Sequence, residues 1–293
     1  ARLLDPSGRL APGVPMAPPE GDAGTGMVAT DSVAVCTGNV SAGTSIFSMV
    51  VLERPLRRLY KDIDIVSTPS GHAVAMVHCN NGTSDLDAWM GLMAELAAKS
   101  GAEVSRAELF RLLFEESLKG APDCDGVLVY NYLSGEPVAG QTSGRPMVLR
   151  RSESALTLAN FMRSQIFSIF AALTMGMHIL TEENVRIRRL TGHGGLFKTP
   201  GVAQRYLSAA MGAPITVMET AGEGGPYGMA LLAGYCLWRQ EGETLEDYLD
   251  RRVFAGAAGE DIMATPEECQ GYRRYLDWYQ EILPAEALAA QRP

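Results

Sequence analysis

Three short runs of small residues stand directly after strand-like segments in this 293-residue chain, and each could offer backbone N–H groups to a phosphate or a nucleotide. Ser41-Ala42-Gly43-Thr44-Ser45 lies between two apolar runs, where Gly43 permits a tight hairpin and the hydroxyls of Thr44 and Ser45 can donate to phosphate oxygens. Gly192-His193-Gly194-Gly195 precedes a helix, and its glycines allow a flat or charged ligand to approach closely. Glu219 to Gly225, with Glu223 and Gly224 near its end, again leads into a helix, in which Gly228 and Ala230 permit close packing. A plain turn or an ordinary strand-to-helix connection accounts for any one of these loops alone. None is a GxGxxG fingerprint, and no Walker A pattern (GxxxxGKS or GxxxxGKT) occurs in the chain. Two successive strand-end loops outline one crevice, because ligands of open α/β sheets bind outside the carboxyl ends of the strands.

The elements needed to hold these loops can be read from hydrophobic periodicity. Asn39 to Leu52 reads as strand, tight turn and strand, and His72 to His78 as another buried strand. Leu86, Trp89, Met90, Met93 and Leu96 recur at helical spacing, and Ser105 to Leu118 repeats the pattern behind a capping box formed by Ser105 and Glu108. Residues 127–133 are strand-like, and a long apolar helix is expected from Leu158 to Leu180. The last third alternates: strand 185–190, loop 191–195, helix 202–211, strand 214–218, then a helix from Pro226 to about Gln240. Such alternation builds a sheet covered by helices. Beyond Glu241 the chain is mostly helical and charged, with Trp278 and Tyr279 packing a terminal helix. The proline-rich residues 1–22 read as an extended arm or interdomain linker.

Composition narrows the function classes. With 46% hydrophobic and 20% charged residues the chain can bury one large core or two modest ones, and its 31 glycines and 16 prolines favour α/β over a helical bundle. A net charge of -9 argues against nucleic-acid binding, which needs clustered Lys and Arg. Five cysteines without a close pair fit no complete disulfide framework and indicate a reducing, cytoplasmic setting. The apolar segments are short or interrupted, so no membrane span or signal peptide is expected, and no His, Cys or carboxylate set has structural-metal spacing. His78, Asn80 and Asn81 read first as a strand-end turn, although they could border a nucleotide, and Lys198 as a solvated lysine, although it could reach a phosphate; His193 could stack on adenine.

Glu20-Gly21-Asp22-Ala23-Gly24-Thr25-Gly26-Met27, Gly43-Thr44-Ser45, Gly126 to Pro137, Gly192 to Gly195 and Glu223 to Ala233 occur in an order that resembles the FGGY carbohydrate kinases, over nearly the whole chain to about Trp238. The resemblance implies that Asp22, in a Gly-Asp pair before a small-residue helix, is the catalytic base. It also implies that Gly43, Thr44 and Ser45 contact ATP phosphates, that Gly192, Gly194 and Gly195 lie against adenosine, and that Glu223 and Gly224 open the last nucleotide-site helix. His193 and the LFKTPG continuation depart from the commoner pattern, and Pro137 stands where the family's Gly-Glu-Arg loop has Arg. Asp22-Ala23-Gly24-Thr25 also looks like the phosphate loop of actin-like ATPases, but that motif ends an apolar strand, whereas Pro18 and Pro19 precede Asp22.

The fold so implied is α/β and ribonuclease-H-like, of the actin and hexokinase type, a mixed sheet flanked by helices. The implied reaction is transfer of the ATP γ-phosphoryl group to a sugar hydroxyl, with Mg²⁺ bridging phosphate oxygens and a ketopentose such as xylulose or ribulose as acceptor. The expected division is 1–26 as the end of an upstream sugar-binding domain and hinge, 27–240 as the nucleotide-binding domain and 241–293 as a helical extension. The opening on Ala1 instead of Met fits a chain that starts inside a longer gene product. The partners expected are therefore the missing N-terminal domain, the sugar and ATP, with a homodimer possible and no nucleic acid or membrane. The fragment alone is expected to be inactive. A non-catalytic actin-like or regulatory ATP-binding module is the alternative.

Overall fold

The computed structural model describes residues 5–9, 11–218, 224–257 and 259–291. Helix α1 (Asp22–Ala29) precedes a meander of strands β1 (Thr37–Ala42), β2 (Ile46–Val51), β3 (Asp64–Ser67) and β4 (Ala73–Cys79). Helices α2 (Ser84–Lys99) and α3 (Arg106–Ser117), a two-stranded unit β5 (Val127–Tyr130) and β6 (Met147–Arg150), and the long helix α4 (Leu158–Glu182) follow. The chain closes with β7 (Arg189–His193), α5 (Val202–Met211), β8 (Ile215–Val217), α6 (Gly224–Trp238), α7 (Leu245–Tyr248), β9 (Glu260–Ile262) and α8 (Pro266–Ala290).

Seven strands form one sheet in the order β3-β4-β2-β1-β7-β8-β9. β2 runs antiparallel to both β1 and β4, while β7 and β8 run parallel to β1, so the carboxyl ends of β1, β4, β7 and β8 share one edge. An antiparallel meander extended by two parallel strands, with helices on both faces, is the ribonuclease-H-like arrangement. Side-chain alternation along β2 builds both faces: Ile46 and Val50 join the core beneath α2, α4 and α5, whereas Met49 and Val51 join Met27, Val28 and Leu245 beneath α1 and α7.

α4 is the pillar of the larger core. Thr157 caps it by accepting from the Asn160 N–H, and Ile166, Phe167, Ile169 and Phe170 are buried in its middle. Its length and mean hydropathy of 1.3 would suffice to cross a membrane, but 72% of its apolar window is buried inside the protein. Ser105 caps α3 as its sequence predicts, accepting from the Glu108 N–H at 3.2 Å. The terminal helix α8 shares this core, with Tyr272, Tyr275 and Tyr279 buried. Trp278 is half-buried under the Arg151 guanidinium, 5.0 Å from the ring centre.

Three elements differ from the sequence reading. β7 starts at Arg189 and not Val185, because Asn184 turns the chain out of α4 with φ 55° and the ladder to β1 begins with Arg189 opposite Thr37. β3 and β9 are edge strands of four and three residues, too short for a periodic signal.

Candidate active site

α1 delivers Asp22 to the loop-bearing edge of the sheet. The helix runs against β7: Gly26 lies by His193 at the carboxyl end of that strand, and Asp31 just beyond α1 is paired with Arg189 at its start, 2.8 Å apart. The first turn of α1 therefore opens toward the carboxyl edge. Gly21 is its N-cap, Thr25 Oγ1 donates to the Gly21 carbonyl at 3.0 Å, and among the described residues the exposed Asp22 carboxylate accepts only its neighbour Ala23 N–H, at 2.9 Å. Pro18 and Pro19 lie in irregular chain before it, so the residue stands at a helix start and not at a strand end.

Thr44 is exposed at the tip of the β1–β2 hairpin, and Gly43 and Ser45 flank it half-buried. The hairpin is held from outside. Gly82 N–H donates to the Thr44 carbonyl at 2.8 Å and Thr83 N–H to the Gly43 carbonyl at 2.9 Å. That support is in turn fixed by a buried network: Asn131 Nδ2 donates to the Asn81 and Gly82 carbonyls, and Glu136 Oε2 accepts from the Asn81 backbone and side chain. Glu136 is fully buried, and burial holds its carboxyl above the usual carboxylate range against the pull of the Asn81 donors. Asn80 donates to the Gly135 carbonyl, so Asn80 and Asn81 are structural turn residues, while His78 is exposed and stacks on Phe47.

The second glycine run divides between strand and loop. Gly192 is inside β7, paired with Val40, and a side chain there would meet the Phe197 ring. His193 ends the same strand; its Nε2 lies 3.2 Å from Asn39 Nδ2 under α1, and burial lowers its pKa to about 4. It is packed in the α1 interface and not open for stacking in the loop. Gly194 has φ +102° and passes so close to the Ala42 carbonyl that a Cβ would collide with it. Gly195 is exposed with open space around its Cα.

Gly195 opens a groove of about 600 Å³ whose walls are Leu196, Thr199 and Pro200 on one side and Thr83, Asp87, Arg106 and Phe110 on the other. Lys198 lines it as well. The wall from α2 and α3 carries no motif in the sequence; only the fold brings it opposite Gly195. At the other end of the edge, Gly224 has φ +56° and begins α6, with Gly225 against Thr25 of α1, while Gly228 crosses in direct contact with the Thr25 backbone. Glu223 lies outside the described residues. The hairpin, Gly194 and Gly195, the start of α2 and the first turn of α1 thus face one edge, with a side groove large enough for a flat ring system. Among the described residues no group of three His, Cys, Asp or Glu side chains could cage a metal.

A family model, the C-terminal domain of the FGGY family of carbohydrate kinases, matches residues 38–237. No curated protein sequence matches the chain. Solved structures do. The ligand-bound xylulose kinase of Lactobacillus acidophilus is similar with a TM-score of 0.69 at 15% identity, and the gluconate kinase of the same organism with 0.70 at 16%, each over 92% of this chain and 51% of its own. Plasmodium falciparum glycerol kinase with ADP gives 0.63 at 14% identity, over 90% of this chain and 50% of its own. The chain spans about half the length of these structures.

Proposed function

The chain belongs to the FGGY family of carbohydrate kinases, and from that premise we propose that it is the ATP-binding half of an enzyme that phosphorylates a sugar hydroxyl. The observation that carries this reading is the convergence, on one sheet edge, of an exposed carboxylate at the first turn of α1, a braced small-residue hairpin and a groove beginning at Gly195.

In this reading the adenosine of ATP occupies the groove between Gly195, Leu196 and Thr199 and the Thr83, Asp87, Arg106 and Phe110 wall. The phosphates run toward Gly43, Thr44 and Ser45, with the α6 start at Gly224 alongside. Asp22 accepts the proton of the attacking sugar hydroxyl; among the described residues its side chain is bonded only through Oδ1, to the Ala23 N–H, which leaves Oδ2 available. The chain's share of catalysis is alignment and electrostatic stabilisation of the transferring phosphoryl group. The exposed Asp22 carboxylate would suit Mg²⁺, which is bound through one or two carboxylates, substrate phosphates and water. Bound there, the ion would neutralise charge on the phosphates.

The acceptor is a ketopentose such as xylulose or ribulose in our reading, supported by the order of the motifs and by the likeness to a xylulose kinase. Selectivity rests on the part of the protein upstream of this chain, and this half binds nucleotide weakly without turnover. Titration calorimetry of the chain with Mg·ATP and with Mg·GTP, repeated on Gly195→Ala, tests the nucleotide assignment. Binding of ATP that the substitution weakens supports it; absence of binding, or binding indifferent to the substitution, contradicts it.

A further inference from the structure

The tip of the β1–β2 hairpin has little to hold it from within. The ladder between the two strands ends with Ala42 opposite Ile46, and the three residues beyond it share one backbone bond, from the Gly43 N–H to the Ser45 carbonyl at 2.9 Å. Its position is set from outside, by the Gly82 and Thr83 amides that donate to the Thr44 and Gly43 carbonyls. Gly82 comes so close to the Gly43 carbonyl that a Cβ would collide with it. Whatever fixes residues 81–83 therefore fixes the tip. That task falls on the buried Asn81, whose backbone N–H and carbonyl and side-chain oxygen and nitrogen are all engaged by residues 131–136. Glu136 takes two of these groups on one atom: its Oε2 accepts from the Asn81 N–H at 3.2 Å and from Asn81 Nδ2 at 3.0 Å. The same carboxyl group is fully buried, its Oε1 accepts no hydrogen bond, and it forms no ion pair among the described residues. Burying such a group without a counter-ion opposes folding, so its presence is explained by what its bonds hold in place.

We propose that Glu136 is a positioning residue for phosphoryl transfer: through Asn81 and the Gly82 and Thr83 amides it sets where the Gly43-Thr44-Ser45 tip stands against the ATP phosphates. The inference rests on the nucleotide reading of the hairpin given above, and it assigns the role to the reach of the carboxyl group and not to its charge. Reach and charge can be separated. Gln at this position keeps the length and offers a carbonyl oxygen in place of Oε2, so both Asn81 bonds survive without the charge. Asp keeps the charge but withdraws its oxygens by one methylene, so both bonds are lost. Phosphoryl transfer is sensitive to such a change, because a misplacement of about 1 Å can cost about 10²-fold in rate.

Steady-state kinetics and amide hydrogen exchange of the whole protein, on the parent, Glu136→Asp and Glu136→Gln, test this together. Glu136→Asp is expected to raise the KM for Mg·ATP and to lower kcat/KM for it at least about tenfold, with the KM for the sugar unchanged. It should also speed exchange at the Gly82 and Thr83 amides while the Met49 and Val50 amides inside β2 stay protected. Glu136→Gln is expected to match the parent in both measurements. A Glu136→Gln protein as impaired as Glu136→Asp overturns the proposal, as does unchanged exchange at Gly82 and Thr83 in Glu136→Asp. A fall in kcat with neither KM altered, and exchange raised across the sheet, overturns it too, since Glu136 would then support only the fold. A parent that binds no Mg·ATP overturns the nucleotide reading along with this one, whereas the exchange result bears on Glu136 alone.

Discussion

Gly194 and Gly195 are adjacent and alike in sequence, yet the structure assigns them opposite burdens. Gly194 sits at φ +102° with the Ala42 carbonyl against its Cα, whereas Gly195 has no positive φ and nothing within 4 Å of the place where a methyl group would stand. Gly194→Ala forces an L-residue into a backbone region that costs about 1–3 kcal/mol. The collision is with backbone, which cannot swing away as a side chain could, and adds overpacking of similar size. We expect a loss of about 3 kcal/mol. In urea, with a slope of about 3 kcal/mol/M for a chain of this size, the unfolding midpoint falls by about 1 M. Gly195→Ala should leave that midpoint within the ±0.5 kcal/mol typical of surface changes while weakening Mg·ATP binding in calorimetry, because its methyl projects into the groove. Equal midpoints for the two variants would refute the strained approach of Gly194 to the hairpin.

His193 is buried with a pKa lowered to about 4 from the ordinary 6.5, so its contribution to stability is present above about pH 6.5 and is lost as pH falls toward 4. The full displacement corresponds to about 3 kcal/mol, and His193→Gln is expected to flatten that segment of a urea-midpoint-against-pH curve. Glu136 has the opposite sign: burial raises its pKa, its stabilising contribution is present at low pH and is lost as pH rises through the folded value, and Glu136→Gln should remove that decline. Gly228→Ala places a methyl on the Thr25 backbone and should separate α1 from α6, costing about 1–3 kcal/mol and lowering Tm by several degrees in calorimetry. A Tm equal to that of the parent would show that the two helices do not touch there.

Much of this architecture was legible in the sequence because it rests on local signals. The Ser105 cap, the helical spacing from Leu86 to Leu96 and the apolar run of α4 each led to an observed helix. Gly43-Thr44-Ser45 emerged as a hairpin because two β-rich runs flank a small-residue break. The β7 boundary failed since Val185 and Ile187 are apolar for a different reason: they pack beside the core on the way from α4 to the sheet. His193 looked like a loop residue, and only its pairing opposite Ser41 shows it as the last strand position. The wall formed by Thr83, Asp87, Arg106 and Phe110 was invisible, because residues from two helices acquire a common role only when folding sets them across from Gly195. The bracing of the hairpin by Glu136 and Asn131 was hidden for the same reason, with about fifty residues separating the partners in sequence.

The most direct test of the central claim is phosphoryl transfer from ATP by the whole protein to a panel of ketopentoses and polyols, with Asp22→Asn measured alongside. Asp22 is exposed and, among the described residues, its side chain is bonded only to the Ala23 N–H, so the variant should fold and bind nucleotide normally while losing at least about 10²-fold in kcat, the contribution expected of a general base. Sugar phosphorylation at the parent rate in Asp22→Asn, or ATP binding with no sugar-dependent turnover in the parent, would contradict the account.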